Sequence, residues 1–303
     1  MSLGKASLSG LQRREGLAAW LFVMPVVLGI CIFQIYPTLF SMYVSLTEWN
    51  LLNPPRWVGL RNYNELFTTD RFFLQTLINT GTYALGTVLP GIALGLFFAV
   101  LLNMDIRGKH LYRGIYFVPV VAPTVALAIL WSWIYEPNFG LLNSILRFFG
   151  IHGPPWLGNT KWAMPAVIIE AVWAGLGFNI VIYLAGLQGI SREYHEAAAI
   201  DGAGALQRLL HITLPLLSPV TFFLLVTGVI GAWQDFSTTW VMTGGGPAGA
   251  TQLIVMYLYG QAFRLQHMGL ASALAYTVFV VIVALTLINF AVSKRWVFYE
   301  EGV

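Results

Sequence analysis

The feature that most constrains this chain is where charge is missing. Residues 16–47, 72–104, 114–135, 171–191, 209–234 and 265–293 contain no Asp, Glu, Lys or Arg. The hydrocarbon core of a bilayer, roughly 30 Å thick, is crossed by about 20 helical residues. An ionised side chain at its centre costs about 2.5 to 3.5 kcal/mol on insertion scales. Each run is long enough to cross, so the pattern points to an all-α membrane protein with six transmembrane helices. Composition agrees, at 57% hydrophobic and 10% charged residues. The expected spans are about 17–45, 74–103, 112–135, 163–188, 214–236 and 269–293, within a membrane domain covering 16–298 and preceded by a segment at 1–15. The first run follows Arg13 and Arg14 but continues through Trp20, Phe33 and Tyr43. That is longer than the apolar region of about 7 to 15 residues in a cleaved secretory signal, so it reads as a retained span. A single cysteine, Cys31, excludes an intrachain disulfide.

Lysine and arginine set the orientation. With six spans and the N-terminus inside, Arg56, Arg61, Arg71, Arg147, Lys161 and Arg264 fall outside, and the other ten of the 16 basic residues fall inside. Arg107, Lys109 and Arg113 carry most weight, because the positive-inside rule applies best to short loops. Both termini are therefore expected in the cytoplasm. The net charge of +3 reflects this bias and calls for no nucleic-acid partner. Residues 48–71 and 136–161 become outer segments, the second a cover over the outer mouth, and the apolar stretch 252–263 is too short to span and is placed at the outer interface.

Between the fourth and fifth runs lies a polar island at 189–213. Ala197, Ala198 and Ala199 favour helix, with Glu193 and Glu196 near its start, where the helix dipole favours carboxylates. Gly202 permits a turn or a close backbone approach. A second short helix carries Leu206, Leu209 and Leu210 on one stripe, and Pro215 is expected to end it. On spacing alone this is equally an amphipathic linker touching lipid headgroups.

Enzymatic readings find no support. Thr243–Pro247, T-G-G-G-P, lacks the Gly-Lys-Ser/Thr ending of a phosphate-binding loop, and Gly108-Lys109 is followed by His110. His195 and Glu196 begin an H-E-x-x-H string, but residue 199 is alanine. A secondary transporter is the main rival; such carriers use intramembrane ionisable groups and inverted repeats. Here only Glu170 and Asp235 lie in or near the runs, toward the outer ends of their spans, and no internal repeat is apparent.

Glu196, Ala197, Ala198, Asp201, Gly202 and Ala203, followed by Ile212, Leu214 and Pro215, closely resemble the cytoplasmic coupling loop of ATP-binding-cassette (ABC) importer permeases. Val58, Gly59, Leu60, Asn62 and Tyr63, with the T-x-G-G-P pattern at 243–247, resemble the carbohydrate-uptake branch of that family. Leu209 departs from it, standing where an aromatic is common. The resemblance implies a type I ABC importer permease: a multi-pass subunit of a bacterial or archaeal inner membrane, whose coupling positions include Leu209, Ile212 and Pro215. It implies a second homologous permease subunit, two copies of an ATP-binding subunit and an external solute-binding protein. ATP and Mg would be bound by those ATPase subunits, with no cofactor in this chain. Alignment with the related maltose permease places candidate substrate-path positions at Ala174, Gly175 and Phe178, and at Gly228, Ala232 and Asp235; Trp233, as a flat apolar face, and Gln234, as a hydrogen-bonding group, join them as side chains suited to a sugar. The implied solute is a sugar or oligosaccharide, with glycerol phosphate as the alternative.

Overall fold

A computed structural model describes residues 10–104 and 108–298. The basic residues Lys5 and Arg107, and the side chains of Arg13, Arg14, Lys109 and Arg113, on which the orientation argument leans, lie outside the described residues. The fold is almost wholly helical. Helices α1 (Gly10–Ile30) and α2 (Tyr36–Ser45) join through a π turn at Cys31–Ile35. Proline explains that turn: Pro37 has no N–H and its ring crowds the carbonyl four residues back, so the Tyr36 N–H reaches five residues back to Cys31 instead. The same device recurs ahead of Pro215, where the Leu214 N–H reaches back to Leu209.

A two-stranded hairpin follows, β1 (Thr47–Glu48) and β2 (Arg56–Trp57), antiparallel with Thr47 opposite Trp57. It leads into α3 (Arg61–Thr68) and the long α4 (Arg71–Asn103). Asp70 caps α4, its Oδ1 accepting from the N–H groups of Phe72 at 2.9 Å and Phe73 at 3.1 Å. Asn62 explains why the V-G-L-R-N-Y stretch is built as it is. Its buried Nδ2 donates to the carbonyls of Ser45 at 2.8 Å and Thr47 at 2.9 Å, while Tyr63 donates to Ser45 Oγ at 2.9 Å. The hairpin is thereby locked onto the end of α2.

The expected third span is not one helix. Helix α5 (Lys109–Val121) and α6 (Thr124–Ile134) meet at a bend of 109°. Ala122 precedes Pro123 and is held extended at ψ 143°, since the proline ring excludes the helical region for the residue before it. After the short α7 (Leu141–Phe148), α8 (Ala163–Gly189) runs alongside α4. The 136–161 segment is tied by Asn143, which donates to the carbonyls of Pro137 and Pro154 and accepts from Trp156 Nε1 at 2.7 Å.

Beyond α8 come α9 (Arg192–Ile200), α10 (Ala205–Arg208), a π turn at Leu209–Thr213, α11 (Leu214–Leu216) and α12 (Ser218–Trp233). Pro215 does not end the second short helix, as expected from sequence. It sits near the start of α11, and the chain breaks two residues later with a bend of 59° between Ala205–Leu216 and Ser218–Trp233. The break falls at Leu217, with φ −85° and ψ −2°, and Pro219 stands in the first turn of α12, where its missing N–H leaves no helical bond unmade. Helices α13 (Ser237–Thr243), α14 (Ile254–Tyr259) and α15 (Met268–Ser293) complete the chain. The stretch expected at the outer interface packs partly into the bundle: Leu253 and Ile254 are fully buried, while Phe263 is exposed. Among the described residues, four helices are long and apolar enough to cross a membrane, or six with each bent pair counted as one span.

Replacing Asn62 by Asp sets a carboxylate against two carbonyl oxygens, and Asn62→Ala leaves those carbonyls without donors. At about 1 to 3 kcal/mol for an unsatisfied buried group, both should lower the thermal unfolding midpoint of the detergent-solubilised protein, Asp more than Ala.

Candidate functional site

Two places carry functional geometry. The first is a cleft of about 400 Å³ between α4, α8, α12 and the start of α13. From α4 it takes Tyr83, Thr87, Val88 and Gly91; from α8, Ala171, Gly175, Phe178 and Asn179; from α12, Gly228, Gly231 and Ala232; and beyond α12, Asp235 and Thr238. Five of the eight sequence-derived path candidates meet here: Gly175, Phe178, Gly228, Ala232 and Asp235. Ala174, Trp233 and Gln234 do not line it. Trp233 is buried in the apolar core and Gln234 is exposed elsewhere, because adjacent helical positions point about 100° apart. The contribution of α4 was missed entirely. Its only polar signals, Tyr83 and Thr87, read equally well as packing residues.

The polar chemistry of the cleft centres on Asp235. Thr239 donates from Oγ1 to Asp235 Oδ2 at 3.1 Å, and Tyr83 lines the same cleft. Gly175 leaves open space where a side chain would stand, whereas a Cβ on Gly228 would come within 3.2 Å of Val88. Behind the wall lies Glu170, 1% exposed, with no hydrogen-bond partner for either carboxyl oxygen. The nearby Trp131 Nε1 is likewise buried and unpartnered. Asp235 lies just past the end of α12, near the end of its span, while Glu170 stands within α8 among the fully buried side chains of the bundle.

The second place is the polar island. Helix α9 begins at Ser191, whose Oγ accepts from the Glu193 N–H at 3.3 Å. It ends in a Schellman turn: the Ala203 N–H donates to the Ala198 carbonyl at 2.8 Å and the Gly202 N–H to that of Ala199 at 3.1 Å. Gly202 adopts φ +83°, and a Cβ there would meet nothing within 4 Å. The glycine thus answers a backbone demand, the left-handed conformation, and no neighbour in this chain crowds it. Gln207 Oε1 then accepts from the Gly204 N–H at 2.8 Å and caps α10.

Neither α9 nor α10 buries a residue. Glu196, Ala197, Asp201 and Gly202 are exposed, while Ala198, Ala203, Leu209, Ile212 and Pro215 are partly covered. Large apolar side chains stand out among the polar ones: Ile200 is 87% exposed, and Leu206 and Leu210 are exposed too. Such a patch on a polar, well-capped turn has the character of a contact surface.

Comparison with known proteins fits this geometry. Residues 91–297 match the family described as "Binding-protein-dependent transport system inner membrane component". The "Probable ABC transporter permease protein YesP" of Bacillus subtilis (strain 168) is 38% identical over 293 residues, covering 95% of this chain and 94% of that protein. The "Trehalose/maltose transport system permease protein MalF" of Thermococcus litoralis is 34% identical over 287 residues, covering 94% and 97%. Among solved structures, a chain of the bacterial alginate ABC transporter in complex with alginate pentasaccharide-bound periplasmic protein superposes with a TM-score of 0.85 at 21% identity, over 95% of this chain and 98% of that one; at that identity the likeness is one of fold.

If Gly202 is required for its backbone conformation, Gly202→Ala should fray the turn by about 1 kcal/mol. Amide exchange at Gly202 and Ala203 should then quicken about fivefold, while Gly202→Asn, which tolerates the left-handed region, should change it far less. Equal effects of Ala and Asn would contradict the conformational explanation.

Proposed function

Given that the chain belongs to the family of binding-protein-dependent transport system inner membrane components, we infer that this ABC transporter permease subunit forms half of the path by which a sugar or oligosaccharide enters the cell. The observation that carries this reading is the cleft at the meeting of α4, α8 and α12. Flat apolar surface from Phe178 combined with a few hydrogen-bonding groups, Tyr83, Asn179, Asp235 and Thr238, is the mixture small-molecule sites use. The names of the curated relatives, among them a trehalose/maltose permease, support the solute class.

One such chain surrounds too little to enclose an alternating-access path. The apolar faces of α1 and α2, exposed from Leu17 through Tyr43 at most of their large side chains, are consistent with a second permease subunit and lipid covering them. ATP hydrolysis belongs in this reading to separate ATPase subunits. They dock on α9 and α10, where Ile200, Leu206 and Leu210 offer apolar contact around Glu196, Asp201 and Gly202. That places the island, and with it both termini, in the cytoplasm, with the hairpin and the 136–161 segment facing an external solute-binding protein. Six crossings follow if each bent pair counts once.

Two experiments test this. Because Gly175 has open space before it, Gly175→Trp should fill the cleft without displacing a helix. The complex should still assemble, and uptake into proteoliposomes supplied with the binding protein should fall at least tenfold. Undiminished uptake would remove the cleft from the path. For orientation, single cysteines at 50–60 in a Cys31→Ser background should react with impermeant maleimide on intact cells, and cysteines at 196–206 should not. The reverse pattern would overturn the proposed topology.

A further inference from the structure

We propose that α7 is a membrane-surface anchor: its outer face, Leu141, Ile145 and Phe148, inserts among the phospholipids at the rim of the bilayer, in the outer leaflet on the orientation proposed above. Helix α7 has two apolar faces, and the fold uses one of them. At about 100° per residue, Leu142, Asn143 and Leu146 share one side of the helix. Asn143 there is buried and Leu142 and Leu146 are partly covered, and Asn143 ties the helix to Pro137, Pro154 and Trp156. Leu141, Ile145 and Phe148 lie on the opposite side and are exposed, Phe148 at 85%, with Phe139, Phe149 and Ile151 exposed beside them. Clustered large apolar side chains turned away from the core mark a surface that meets something other than water.

The level at which α7 sits identifies what covers it. Helix α6 ends at Ile134 and α8 starts at Ala163, so α7 joins two membrane-crossing elements at one rim of the bundle. Aromatic rings gather at that rim, Tyr135 against Trp156 at 5.9 Å and Trp156 against Trp162 at 5.2 Å between centroids. Such rings favour the membrane–water interface, and Asn143 fastens α7 to them through Trp156. Exposed apolar surface continues from Ile129, Leu130 and Trp133 of α6, a flank of an inner membrane component that faces the bilayer. Charge agrees: residues 137–169 contain Arg147 and Lys161 and no Asp or Glu, which suits lipid phosphate. Arg147 is fixed on the flank between the two faces, its Nη2 donating to the Asn138 carbonyl at 2.7 Å and to Ser144 Oγ at 3.1 Å. Interfacial helices of this kind sink about 5 to 10 Å into the boundary of headgroups and acyl chains. A soluble partner that docks and leaves meets surface about as polar as the rest of a protein, whereas the outer face of α7 offers no polar side chain. One face of α7 is assigned in this way, and the rest of the 136–161 segment is left to the binding protein. The assignment does not depend on the cleft being the solute path.

Ile145→Cys, Phe148→Cys and Phe149→Cys, each alone in a Cys31→Ser background and carrying a nitroxide, test this. The whole importer, with its ATPase and second permease subunit, is reconstituted in phospholipid nanodiscs, with and without the binding protein. Each label is read for collision with oxygen, which concentrates in lipid, and with a nickel chelate, which stays in water. The oxygen-to-nickel ratio at Ile145→Cys and Phe148→Cys should be at least fivefold above that at Asn53→Cys, on the exposed tip of the hairpin, and the binding protein should not change it. Leu141→Gln, Ile145→Gln and Phe148→Gln together should bring the ratio at Phe149→Cys to within twofold of Asn53→Cys, assembly being checked by co-purification of the ATPase. Should that triple variant fail to assemble, the single labels decide. Labels on α7 that meet the chelate as freely as Asn53→Cys would show a face in water, and labels shielded from both reagents would show a protein partner; either result overturns the anchor. Shielding from the chelate only when the binding protein is added would overturn it too. So would a ratio at Phe149→Cys that survives the triple substitution, because the neighbouring spans and not this face would then hold the helix at its depth.

Discussion

The structure depends on how closely α4 and α8 approach. Inside a bilayer, apolar side chains gain little by facing one another instead of lipid, so helices associate through small residues and a few hydrogen bonds. Here the small residues are Gly86, Gly91 and Gly95 on α4. A Cβ on Gly86 would lie 2.6 Å from Ile168, and one on Gly95 would lie 2.6 Å from Asn179 Cβ. Asn179 therefore stands over the two glycines Gly91 and Gly95. Helix α12 joins by the same means: Gly186 meets Val220 and Leu217, and Tyr183 shares a hydrogen bond of 2.9 Å with Thr221. The positions that let three helices close at one level leave room at another, and that room is the cleft.

Proline decides where the bundle is continuous and where it is jointed. Pro37 and Pro215 are absorbed by π turns, which keep the helix running at the cost of one displaced hydrogen bond. Pro123 breaks it, because Ala122 before it is pushed out of the helical region, and Pro219 stands in the first turn of the helix that starts after the break at Leu217. The 59° joint before α12 connects the polar island directly to a helix that walls the cleft. In the proposed function, a push on α9 and α10 reaches Gly228 and Ala232 through this short segment, with Ser218 Oγ accepting from Phe298 N–H at 2.8 Å beside the joint. This is a mechanical basis for linking events at one end of the protein to the shape of the cleft.

Much of this is visible in the chain itself, for identifiable reasons. Absence of charge is a strong signal, because burial of ions in lipid is costly, and the long apolar helices follow it. Gly202 is legible because few residues but glycine take φ +83° readily. What sequence conceals is rotation and partnership. Trp233, Gln234 and Asp235 are neighbours in the chain but point to core, solvent and cleft. Tyr83 gains its meaning only when α4 is known to face α12. The break at Ala122 was signalled by Pro123, but an unbroken apolar run reads first as one helix.

The proposed function rests on the space between α4, α8 and α12 being the solute path. Single cysteines at Thr87, Gly175 and Gly228, made in a Cys31→Ser background, test it most directly, with Leu85→Cys, on an exposed apolar face of α4, as the comparison. In the assembled complex, labelling by a small charged thiol reagent should be appreciable at the three cleft positions. It should change severalfold when the ATPase is trapped with ATP and vanadate, and stay low and unchanged at Leu85→Cys. Cleft cysteines that label no faster than Leu85→Cys in every state of the ATPase would contradict the claim.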